Sequence, residues 1–156
     1  MENKTMIQTV KGSIFDADRA EGIAIFIPMG LVDIRSEAES FVREFGVTDR
    51  RPKEMVVCSL AEPVRGIVRH LVFFDNLEKE INTVEDIRRQ VNDTLDAFAT
   101  LGAKTVAMNG IRSRTLPDRT TRLESFQRRF VEEYVAKHPG VFETIWLVDK
   151  RGGFDK

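Results

Sequence analysis

Three short runs in this chain carry apolar side chains at most positions instead of alternating them: Gly22–Pro28 (GIAIFIP), Lys104–Met108 (KTVAM) and Phe142–Val148 (FETIWLV). A strand with one wet face alternates apolar and polar residues, whereas a strand covered on both faces does not. Between these runs lie segments with a different period. Val84, Ile87, Val91, Leu95 and Phe98 share one face of a helix, and Leu123, Phe126, Phe130, Val131 and Tyr134 share one face of another; the spacing is helical. Doubly buried strands alternating with one-sided helices predict an α/β chain with a mostly parallel sheet. The three apolar runs are expected to lie side by side within it.

The remaining segments extend this pattern. Thr5–Ile14 reads as a strand interrupted by Gly12. Ser36 and Glu39 form a capping box for a helix ending at Gly46. Glu54–Leu60 is a strand that Glu62-Pro63 breaks, and Gly66–Phe74 resumes it. Asn82 and Glu85 are expected to begin the first long helix, with Gly102 at its C-terminal stop. A last helix spans about Asp118 to Lys137, and a polar tail, KRGGFDK, comes after the closing strand. Six strands and three helices predict a three-layer α/β/α sandwich with a mixed, mostly parallel six-stranded sheet. At 156 residues, the chain is read as a single domain, 1–156.

Composition sets the boundaries on function. A net charge of −1 exerts no pull towards nucleic acid, and no apolar run is long enough to cross a bilayer. The first ten residues have no signal-peptide pattern, so the expected location is cytoplasmic. Cys58 is the one cysteine, and His70 and His138 are far apart in sequence. No metal site, no cofactor and no catalytic residue are therefore expected. His70 sits inside an alternating strand and reads as structural; His138 ends a helix, where a cation suits the dipole. Arg119, Arg122, Arg128 and Arg129 read as a solvated helix face.

One loop stands apart. Asn109–Leu116 leaves the carboxyl end of a buried strand, the position at which open α/β sheets bind ligands. It carries Arg112 and Arg114 with no acid between them, just ahead of a helix start. Fixed cations beside a helix N-terminus suit a phosphate. The alternative is an ordinary solvated turn.

The order of elements and several local strings resemble the macro domain, the ADP-ribose-binding module. The strings are VKGSI at Val10–Ile14, GIAIFIPMG at Gly22–Gly30, LGAKTVAMNGI at Leu101–Ile111 and HPGVFETIWLVD at His138–Asp149. The resemblance implies a crevice lined by Ser13, Met29, Gly30, Gly110, Ile111, Arg112, Ser113, Arg114 and Thr115. Ser13 stands where the family has its adenine-contacting aspartate, and Pro28, Met29 and Gly30 where it has its asparagine-bearing loop. Arg112-Ser113-Arg114-Thr115 replaces the glycines of its phosphate loop, and Val148 replaces an aromatic that stacks on the base. The implied function is non-catalytic binding of a phosphorylated ligand, a nucleotide or an ADP-ribose relative, free or on an ADP-ribosylated protein. A protein-interaction module with a filled crevice is the alternative, and an ADP-ribosyl hydrolase the second.

Overall fold

A computed structural model of the chain describes residues 4–12, 20–27, 55–64, 68–75, 83–111, 122–149 and 154. The element order is β1 (Met6–Lys11), β2 (Gly22–Ile27), β3 (Met55–Val64), β4 (Val68–Asp75), α1 (Val84–Leu101), β5 (Thr105–Asn109), α2 (Arg122–Lys137) and β6 (Thr144–Asp149). The six strands form one sheet in the order β1-β6-β5-β2-β4-β3. Five are mutually parallel, and β3 runs antiparallel to β4 at the edge. The fold is thus α/β with a mixed, mostly parallel six-stranded sheet. The three apolar runs became β2, β5 and β6, which are neighbours in it.

Register explains why these runs are mostly apolar. Ala24, Phe26, Val72, Val106, Met108, Ile145 and Leu147 fall on one face and join a single core with Ile87, Val91, Leu95 and Phe98 of α1 and Leu123, Phe130, Val131 and Tyr134 of α2. Ile23, Ile25, Leu71 and Ala107 point to the opposite face and are at most 1% exposed. Both faces of the central strands are buried, so the sheet is a middle layer. Towards the β1 edge that second face opens, and Met6 and Val10 are exposed.

α1 starts and stops for local reasons. The Thr83 hydroxyl accepts from the Asp86 N–H at 3.2 Å, while the Asp86 carboxylate accepts from the Thr83 N–H at 3.0 Å. This reciprocal pair is a capping box. The capping pair is therefore Thr83 with Asp86, one residue later than the expected Asn82 with Glu85. At the other end Gly102 adopts φ 76°, and the Ala103 N–H closes on the Phe98 carbonyl at 3.1 Å. A glycine accepts that left-handed conformation without a Cβ penalty. The helices are tied to each other at three points. Arg88 donates to Glu133 at 2.8 Å, its guanidinium lies 4.4 Å above the Phe130 ring, and Tyr134 donates to Asp96 at 2.7 Å. The second of these is a cation–π contact.

Three expectations are corrected. Glu62-Pro63 does not end β3: the strand runs on to Val64 through a register shift between Ser59 and Val64. An edge strand tolerates proline at such an irregularity. Arg128 is not merely solvated, since it donates to the Phe154 carbonyl at 2.9 Å. The tail is not wholly polar in its packing either, because Phe154 is 3% exposed and joins the core. The helix expected over 36–45 and the segment 118–121 lie outside the described residues.

His70 is buried, and burial holds its imidazole below the ordinary value of 6.5. The nearby Glu21 charge opposes this shift and Arg69 reinforces it. The consequence for stability has a definite sign. As pH falls through 6.5 the unfolded chain takes up a proton that the folded ring refuses. Stability is therefore complete above that pH and declines below it until the folded ring titrates. Chemical denaturation from mildly alkaline to mildly acid pH is expected to show a steeper loss for the native chain than for His70→Gln. Equal slopes would rule His70 out as a contributor.

Candidate functional site

The sheet ladder dictates where a ligand could enter. β2 and β5 pair over Gly22–Val106, Ile23–Ala107 and Ala24–Met108, and the ladder stops there, although β2 continues beside β4 to Ile27. Beyond Met108 the gap is bridged by a side chain. Asn109 Oδ1 accepts from the Phe26 N–H at 2.7 Å, and Asn109 Nδ2 donates to the Phe26 carbonyl at 3.1 Å. The chain after β5 leads on to α2, whereas the chain after β2 leads to β3 at the far edge. In open α/β sheets ligands bind where the strand order reverses in this way, which makes this strand end the candidate site.

A second amide locks this strand end to the helix. Gln127 of α2 donates to the Asn109 carbonyl at 2.8 Å and accepts from the Ile111 N–H at 2.7 Å. Gln127 and Asn109 are both buried. Their bonds therefore operate in a dry environment, where an unmet polar group is costly. Gly110 sits between them, buried. A Cβ placed on it would lie 3.6 Å from Glu124 Cγ, 3.7 Å from Glu124 Oε1 and 3.9 Å from the Phe154 ring. Glu124, in the first turn of α2, is fully buried. The described end of β5 is therefore walled by a carboxylate, an aromatic ring and two buried amides.

Of the residues expected to line the crevice, Gly110 and Ile111 are found at this strand end. Ser13, Met29, Gly30, Arg112, Ser113, Arg114 and Thr115 lie outside the described residues. Asn109, Glu124, Gln127 and Phe154 were missed as site residues. Gln127 had a usable signal: it lies four residues after Leu123 and four before Val131, on the buried stripe of α2. A polar side chain at such a position needs a polar partner. Phe154, in a glycine-flanked tail, had none. Among the described residues no group of three or more His, Cys, Asp or Glu side chains is placed to hold a metal. No helix there is long and apolar enough to cross a membrane.

No family model matches the sequence, and no curated protein does. Solved structures do match. The macro domain of ganglioside induced differentiation associated protein 2 superposes with a TM-score of 0.63 at 10% identity, over 94% of this chain and 78% of that one. The Trypanosoma brucei macrodomain in complex with ADP gives 0.69 at 10% identity, over 93% of this chain and 64% of that one. The macrodomain of Mycobacterium tuberculosis DarG gives 0.59 at 18% identity, over 92% of this chain and 97% of that one. The chain has the macrodomain fold.

Proposed function

We propose that this chain, folded as a macrodomain, is a single binding domain for a phosphorylated ligand of the ADP-ribose class, held in the crevice between β2 and β5. The Trypanosoma brucei macrodomain, of similar fold, has been solved with ADP and with ADP-ribose. The observation that carries the reading is the early end of the β2–β5 ladder, with Asn109 spanning the opening beyond it. Ser13, Met29, Gly30, Gly110, Ile111, Arg112, Ser113, Arg114 and Thr115 are the proposed lining, and no catalytic residue is assigned.

The floor also constrains how an anion is held. The Phe26 and Ile111 N–H groups are already committed to Asn109 and Gln127. A phosphate at this end of the sheet would then be met by guanidinium and hydroxyl groups of 112–115, through paired charge-assisted donors. That mode suits the sequence Arg-Ser-Arg-Thr, whose side chains would crowd a backbone cradle.

The test is thermal unfolding with ADP-ribose, ADP, pyrophosphate and inorganic phosphate. A ligand at a hundred times its dissociation constant adds about 2.7 kcal/mol, or roughly 5–11 °C for a domain of this size. We expect such a shift with ADP-ribose or ADP. We expect its loss in the Arg112→Ala, Arg114→Ala double variant, with the ligand-free midpoint unchanged. No shift with any of the four in the native chain would favour the protein-interaction reading instead.

A further inference from the structure

At the amino-terminal end of the sheet, away from the crevice, Ser59 of β3 and His70 of β4 face each other. They form the last regular cross-strand pair before the β3 irregularity. Ser59 Oγ lies 2.8 Å from His70 Nδ1. The serine is exposed, while His70 as a residue is 9% exposed. The His70 main-chain N–H donates to the Glu21 carbonyl at 3.0 Å, and the Glu21 carboxylate acts on the ring by charge. That carboxylate is itself fixed: Glu21 Oε1 accepts from the Lys104 N–H at 3.0 Å and from the Thr105 hydroxyl at 3.4 Å.

An exposed serine hydroxyl with an imidazole nitrogen in hydrogen-bond reach is the nucleophile–base pair of an activated nucleophile. We propose that Ser59 is a reactive nucleophile with His70 as its general base, open to activated acyl and phosphonyl donors. With its proton on Nε2, His70 presents the Nδ1 lone pair to the Ser59 hydroxyl. In reaction with a fluorophosphonate, Ser59 Oγ attacks phosphorus as its proton passes to His70 Nδ1. The P–F bond breaks, fluoride leaves with the electron pair, and His70 returns the proton to solvent. Burial, reinforced by Arg69 and opposed by Glu21, lowers the pKa of the ring and so favours its neutral, proton-accepting form. The arrangement supplies nucleophile and base without an assigned donor for a developing oxyanion, which confines the reaction to donors with good leaving groups.

The experiment is labelling of the intact chain with a fluorophosphonate probe, with peptide mass mapping of the product. One adduct on Ser59 is expected, and none at that position in Ser59→Ala. Labelling should slow at least tenfold in His70→Gln, since a positioned base contributes roughly 10²–10⁴-fold. The rate should fall on acidification with a midpoint below 6.5, the ordinary imidazole value. A native chain left unlabelled at Ser59 overturns the proposal. So does a folded His70→Gln chain, checked by its unfolding midpoint, that labels at the native rate.

Discussion

Gly22→Ala is expected to be among the most damaging single substitutions in this chain. A Cβ at this position would lie 2.6 and 2.8 Å from two carbons of the Phe98 ring, closer than real Cβ contacts approach. Neither side can give way easily. Phe98 is fully buried on α1, and Gly22 is paired to His70 on one flank and Val106 on the other, so β2 cannot drift without breaking two ladders. Overpacking of this kind costs roughly 1–3 kcal/mol, and the double constraint puts Gly22→Ala at the upper end. For a domain of this length that is roughly 6–12 °C in the unfolding midpoint. The physical cause has its own check. Phe98→Leu removes the clashing edge of the ring and alone should destabilise by leaving a cavity, yet in the alanine background it should recover part of the loss. Strictly additive losses in the double variant would show that the ring is not the obstacle.

Asn109→Ala should cost a comparable amount and, unlike Gly22→Ala, should act directly where the β2–β5 ladder ends. The substitution removes both contacts to Phe26, whose N–H and carbonyl the asparagine amide meets at 2.7 and 3.1 Å. Each buried polar group that loses its partner costs about 1–3 kcal/mol, so a loss of about 2 kcal/mol or more is expected by denaturant titration. The main-chain bonds to Gln127 do not depend on the Asn109 side chain and should persist. The damage should therefore be local: faster amide hydrogen exchange at residues 24–27 and 109–111, with α1 and β6 protected as before. Asn109→Asp separates the two bonds, because a carboxylate still accepts from the Phe26 N–H but cannot donate to its carbonyl. An Asn109→Ala chain as stable as the native one would mean that β2 and β5 need no bridge where their ladder ends.

The fate of particular residues divides what was legible in the sequence from what was not. Apolar runs at 22–28, 104–108 and 142–148 announced doubly buried strands. Burial on two faces leaves few polar positions in a strand. The stripes of α1 and α2, and the left-handed Gly102 that stops α1, were readable for a similar local reason. Period and backbone conformation are properties of neighbours in sequence. Gly110 and Ile111 could be placed at a strand's carboxyl end because strand and succeeding loop are contiguous in the chain. The tertiary structure alone decided that Asn109 reaches Phe26, 83 residues away, and that Gln127 folds back onto the turn after β5. It alone put Phe154 beside Gly110, and Ser59 against His70. Each of these is a polar or aromatic side chain whose partner is set by how strands, helix and tail pack, and for the strand pairs by register. A single chain carries no local signature of register, because shifting a strand by one residue changes its every contact while leaving its composition the same.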